Sequence, residues 1–291
     1  MKKIFFLAAA AYSMYGESTI EGPKSGYIAS ATGIRTVLGT LGAARLSVPF
    51  GSTVQNASVL PGQDVAFGTS PDGELVRLNL ADGSIKALGD RAAGLLLASP
   101  SGEAAATFGD QAIHTFAKDG SRVADIAFSG TPVLAAVSDS GRLVAMTVAE
   151  PEGEAVYLVD GEASRRVFAA QKIVALTFIP DSSDVILGDN SGAIYRIAGS
   201  LELTQLAVVE NLHALASTSQ RVVAVAGRIV QSIPLNGGAQ TVAECSCTAT
   251  IARPLGASKF LITDGEHGPI WVVDAFSTEL RLAFIPEAVN E

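Results

Sequence analysis

The chain has 291 residues, 48% apolar and 17% charged, and its 29 acidic against 20 basic side chains give a formal net charge of −9. So much apolar material with so little charge describes a folded chain rather than a disordered one, and with no run of Lys or Arg to neutralise a phosphate backbone, nucleic acid is not an expected partner. Twenty-nine glycines, twelve prolines and only three methionines, beside many Val, Ile and Ala, favour short strands and tight turns over long helices.

The first residues, MKKIFFLAAAAYSMYGES, carry Lys2 and Lys3, an apolar run from Ile4 to Ala11, and small residues before Glu17. This is the pattern of a secretory signal peptide, taken as residues 1–16, with a buried first strand as the alternative. Its removal would leave an extracytoplasmic protein, periplasmic or secreted. No later stretch reaches eighteen apolar residues, so no transmembrane segment is expected in the mature chain.

Residues 25–51, SGYIASATGIRTVLGTLGAARLSVPFG, read as two or three strands. After them comes a repeat. NASVLPGQDVAFG, GLLLASPSGEAAATFG, VLAAVSDSGRLVAMTV, IVALTFIPDSSDVILG, LHALASTSQRVVAVAG and TIARPLGASKFLITDG are each an apolar strand, a short polar turn and a second apolar strand. Their turns fall at Pro61, Pro100, Asp139, Pro180, Thr218 and Leu255, spaced 39, 39, 41, 38 and 37 residues apart. Two further turns follow within each period. In the first copy, GTSPDGELVRLNLADGSIKALG, they are Asp72-Gly73 and Asp82-Gly83. In later copies they are Asp189 to Gly192 with Gly199-Ser200, Gly227 with Asn236-Gly237-Gly238, and Asp264-Gly265 with Asp274-Ala275. Asp, Asn and Gly accept the backbone conformations such turns require, with positive φ expected at Gly83 and Gly237.

Four antiparallel strands recurring at about 40 residues predict an all-β chain folded as a β-propeller of four-stranded blades, a single domain over residues 26–287. Counting 39 residues back from Pro61 reaches Gly22-Pro23, where a further turn belongs. Seven blades are therefore expected, the first incomplete or atypical, with a six-bladed ring plus an N-terminal hairpin as the alternative. The SPDG and SPSG turns after apolar strands resemble those of bacterial extracytoplasmic propellers related to the WD-type and YVTN-type repeats. The Gly-His and Trp-Asp dipeptides of the WD type are missing, since two valines separate Trp271 from Asp274.

The resemblance implies a rigid ring whose loops and central channel carry function. The expectation is a non-catalytic binding or scaffold propeller, a monomer that recognises a protein or glycan. A lactonase- or lyase-like propeller enzyme with a channel site is the alternative. No Gly-x-Ser-x-Gly elbow occurs, and His114, His213 and His267 fall in different repeat units, so no nucleophilic triad and no cofactor is expected. The densest polar group is LITDGEHGPIW, whose Asp264, Glu266 and His267 are candidate metal ligands. The starts of the first strands are mainly Ala, Val, Leu and Ile, with Asn56, Asn211 and Thr248 as exceptions. Cys245 and Cys247 would share one face of a strand. Two thiols fall short of the four ligands of structural zinc, and they are read as two packed cysteines, with a local disulfide or redox pair as the alternative.

Overall fold

The computed structural model describes residues 23–91, 94, 96–109, 112–128, 132–161, 163–264, 269–276 and 279–287. Among these residues there is no helix, and the strands form seven antiparallel sheets in chain order, each pairing only sequence-adjacent strands. The sheets span residues 24–46, 55–91, 96–127, 132–170, 173–208, 214–249 and 253–285, numbered here as blades one to seven.

Blades two to five and blade seven each have four strands, and blade six has four in substance. Its long strand Arg221–Pro234 would hold Gln220 and Leu235 roughly 50 Å apart if straight, at about 3.3 Å per residue. Instead the Leu235 N–H donates to the Gln220 carbonyl at 2.9 Å, and the Arg221 guanidinium reaches Ser232. The chain therefore doubles back at Gly227 and supplies the second and third strands of the blade. Blade one has three strands among the described residues. Of the turn expected at Gly22-Pro23, Gly22 lies outside the described residues; Gly39 donates to the Pro23 carbonyl at 2.7 Å as Leu80 does to Asp64 in blade two, so Lys24–Ser30 holds the place of a second strand.

Seven apolar cores lie between these sheets, one at each seam. Phe67 and Leu75 of blade two meet Ala105 and Phe116 of blade three, for example, and Ile186 and Ile194 of blade five meet Leu215 and Val222 of blade six. The last seam brings Ile270, Val272 and Ile285 of blade seven onto Ile28, Val37 and Leu46 of blade one, so the ring is closed. The protein is a seven-bladed β-propeller, and the six-bladed alternative is overturned.

Second strands such as Val65–Thr69, Ala104–Phe108 and Val185–Asp189 are buried throughout because each is covered on both faces. This is why the sequence shows unbroken apolar or small-residue runs there rather than alternation. The first strands of blades two to six lie against one another in succession.

The recurring first turn is one hydrogen-bonded unit. The N–H of Leu60, Ser99, Ser138 and Ile179 donates to the carbonyl five residues on, Val65, Ala104, Leu143 and Asp184, at 2.9–3.0 Å. In blade seven the equivalent bond joins Leu255 to Lys259, and in blade six Thr218 to Arg221, so the turns tighten where the repeat spacing shortens.

The reading of the two cysteines as separate packed thiols is corrected: Cys245 and Cys247 form a disulfide. A regular strand holds residues i and i+2 about 6.6 Å apart, whereas these Cα atoms are 5.1 Å apart. The cause is a break in register. Between the pairs Ile229↔Glu244 and Gly227↔Ala249 the outer strand takes five steps while its neighbour takes two, and the resulting bulge draws the sulfurs together. Two smaller corrections concern Thr248, which lies in that outer strand rather than at the start of a first strand, and His213, exposed one residue before its strand rather than within it.

Gly83 and Gly237 have φ of 74° and 79°, with open space where a Cβ would project. Gly102, with φ of 78°, sits differently, because its Cβ would lie 2.3 Å from the Pro61 carbonyl of the neighbouring blade. Gly83→Ala should therefore cost about 1 kcal/mol from backbone conformation alone, and Gly102→Ala distinctly more because the two blades must also separate. Urea titration of both variants measures the difference, and equal midpoints would contradict the seam contact.

Candidate binding site

Asp264 is exposed in the connection between the second and third strands of blade seven, while Glu266 and His267 lie outside the described residues. Among the described residues no three Asp, Glu, His or Cys side chains converge as a metal site would need. His114 faces Asp125 across a strand pair, with Nδ1 2.7 Å from the carboxylate. Arg122 reaches Asp125 at 3.3 Å and Asp90 of blade two at 2.7 Å, so this group ties two outer strands together. Asn56 and Asn211 have φ of 49° and 56°, a backbone role for two residues that stood out in the sequence.

Other polar side chains link neighbouring blades. Asp139 in the first turn of blade four accepts the Ser101 N–H of blade three at 2.9 Å and the Asp181 N–H of blade five at 2.8 Å. Ser217 of blade six donates to the Phe178 carbonyl of blade five at 2.6 Å. Within blade four, Arg166 and the Tyr157 hydroxyl donate to Glu150, which lowers the Glu150 carboxyl from its ordinary value, while the same carboxylate raises the Tyr157 hydroxyl.

The feature best suited to binding lies where blades seven, one and two meet, at the end of the ring formed by the first turns. Gly62 of blade two donates to the Leu255 carbonyl of blade seven at 3.1 Å, joining two blades that flank blade one. Beside this bond is a recess of about 300 Å³ with Lys24, Gln63, Asp64, Ser258 and Lys259 at its polar margin. The Tyr27 hydroxyl donates to Asp64 at 2.7 Å, and the Lys259 ammonium lies 3.4 Å from the Ser25 hydroxyl.

Asp274 accepts both the Ser258 hydroxyl at 2.8 Å and the Phe276 N–H at 3.0 Å. The Phe276 main chain is thereby tied close to Ser258, and its side chain is 84% exposed. Tyr27 and Leu255 also border a second cavity of about 330 Å³, lined by first-strand residues including Val59, Leu97 and Pro254 and polar mainly at Ser58 and Arg253. Ammonium, amide and carboxylate groups at the margin of the recess suit a ligand that offers polar groups of its own. Sequence reasoning missed this site, because Lys24, Gln63 and Lys259 lie far apart in the chain and none belongs to a motif.

No family model and no curated protein matches the chain. Solved structures do. PorZ, an essential bacterial surface component of the type-IX secretion system of Porphyromonas gingivalis, superposes with a TM-score of 0.60 at 15% identity, over 93% of this chain and 38% of that one. This protein thus spans well under half of the PorZ chain. Hsv2p of Kluyveromyces lactis gives 0.57 at 10% identity, over 88% and 93% of the two chains. A chain of the mitotic checkpoint complex gives 0.55 at 14% identity, over 84% and 88%. At these identities the likeness is one of fold.

Asp139→Ala leaves two main-chain donors in neighbouring blades without their acceptor and should lower stability by about 1–2 kcal/mol, with Asp139→Asn in between, as read by chemical denaturation. Glu150 carries the opposite kind of prediction, about titration. Its carboxyl is lowered in the folded state, so the network's contribution is present above the ordinary carboxylate range and lost as pH falls through the lowered value. In Arg166→Gln the Glu150 resonance should titrate at higher pH by NMR, and an unchanged midpoint would contradict the pairing.

Proposed function

We propose that this protein is an exported, monomeric, non-catalytic propeller that recognises a protein partner through the recess at the meeting of blades seven, one and two. The observation that carries the reading is the recess of about 300 Å³ at this seam, with Lys24, Gln63, Asp64 and Lys259 at its margin and, tied through its main chain to the Asp274 carboxylate that also holds Ser258, a Phe276 side chain that is 84% exposed. A recess rimmed by ammonium, amide and carboxylate groups, with a solvent-facing aromatic on a segment tied to its rim, is the composition of a protein-binding hot spot. Propellers of similar fold, the PorZ surface component and a subunit of the mitotic checkpoint complex, belong to protein assemblies and are consistent with this reading. Export rests on Lys2, Lys3 and the apolar run that follows, all outside the described residues.

Cross-linking in the native host, with partners identified by mass spectrometry, tests the binding claim. A partner captured by the wild type should be lost in Phe276→Ala and in Lys259→Glu but kept in Ile85→Ala, on an outer strand of blade two. Equal capture by all four chains would refute the site. N-terminal sequencing of protein from the host should find a chain beginning near Glu17, and an intact Met1 on cytoplasmic protein would refute export. The enzyme alternative rests on the Asp264, Glu266 and His267 turn. Calorimetric titration with calcium and zinc should give no stoichiometric binding, and an ion bound by the wild type and lost in His267→Ala would overturn the non-catalytic reading.

A further inference from the structure

The one covalent bond that closes a loop in the described chain lies in the outer strand of blade six, and its two sulfurs sit in different surroundings. Cys245 is 1% exposed and belongs to the apolar core shared with Phe260, Ile262 and Val273 of blade seven. Cys247 is half-buried at the margin of the same core. Between Glu244 and Ala249 the outer strand runs out of register with its neighbour, so the segment carrying the disulfide is not held by regular ladder bonds. Arg228 donates to the Cys245 carbonyl at 3.3 Å and pairs with Glu244 at 3.1 Å, anchoring the start of the bulge.

We propose that Cys245 and Cys247 form a reversible thiol–disulfide exchange site that accepts electrons from a dithiol reductant. Three features support this. The more accessible sulfur belongs to Cys247, so an incoming thiolate has a defined target. The sulfur displaced, that of Cys245, already occupies an apolar pocket in which a neutral thiol packs as a small hydrophobic group, so reduction leaves no buried charge. The bulge holds the two Cα atoms 5.1 Å apart in a stretch that is out of register with its neighbour, which favours closing the bond again.

In the reductive direction a thiolate of the dithiol attacks Cys247 Sγ and forms a mixed disulfide. The Cys245 sulfur leaves with the bonding electron pair and takes up a proton. The second thiolate of the reductant then attacks its own partner sulfur in the mixed disulfide and releases Cys247 as a thiolate, which is protonated in turn. Two electrons and two protons have moved to the cysteines, and the reductant has become a disulfide.

The experiment incubates the full folded chain with dithiothreitol at increasing ratios to its oxidised form, quenches with a polyethylene-glycol maleimide and counts labels by gel shift, while near-UV circular dichroism reports on packing around Trp271. The expected result is one label per reduced chain in the folded state, at Cys247, and two when denaturant is present during labelling, with the dichroism spectrum retained before denaturant is added, and loss of both labels when oxidised glutathione is added back. Single variants assign the order of attack. In the folded state Cys245→Ser should leave a thiol at Cys247 that labels readily, whereas Cys247→Ser should leave a thiol at Cys245 that labels only after denaturant is added. Labels that appear only when the chain unfolds, or a Cys247 thiol that stays unreactive in folded Cys245→Ser, would overturn the proposal.

Discussion

A four-stranded sheet has two faces, and in this ring both are covered by the sheets on either side. Each blade therefore depends on two neighbours, and the seven seam cores form a closed series in which the last, between blades seven and one, is of the same kind as the first. Burial of apolar area drives this assembly without directional demands, which explains how blades that differ in turn length, strand length and composition still fit one architecture. Ala104, Ala105 and Ala106 in blade three occupy the same second-strand position as the larger Val185, Ile186 and Leu187 in blade five.

Directional contacts are laid over that packing and concentrate at the end of the ring where the first turns meet. Their internal hydrogen bonds recur with the same offset in four blades, and Asp139 uses its two carboxylate oxygens to hold the turns on either side. Such bonds add little net stability each. What they do is fix the height at which neighbouring turns stand. At the seam of blades seven, one and two the pattern changes, with Gly62 bonding directly to Leu255, and this is where the recess opens. The candidate binding site thus lies where the contacts between neighbouring turns depart from the repeat, and a second recess opens among the first turns of blades three to five, around Asp139.

The disulfide of blade six illustrates how a fold tolerates local irregularity. Its bulge sits in an outermost strand, where a register break costs few ladder bonds, while Cys245 keeps its side chain in the core against blade seven. The same break placed in a second strand would open two seams at once.

By itself the sequence determined the class, the repeat and its phase. The turn positions from Pro61 to Leu255 all fall between first and second strands, because Gly, Pro, Asp and Asn mark turns through their own backbone preferences and apolar runs mark strands covered on both sides. Those are properties of neighbours in the chain. What only the tertiary structure decided involves residues brought together across the ring. Seven blades rather than six follows from the core between Ile28 and Ile270, and the Cys245–Cys247 bond follows from a register break that no strand pattern announces. The recess was equally out of reach, since Lys24, Gln63 and Lys259 become neighbours only when the ring closes. Periodicity is written in local sequence, whereas closure and the site it creates depend on contacts between residues more than two hundred positions apart.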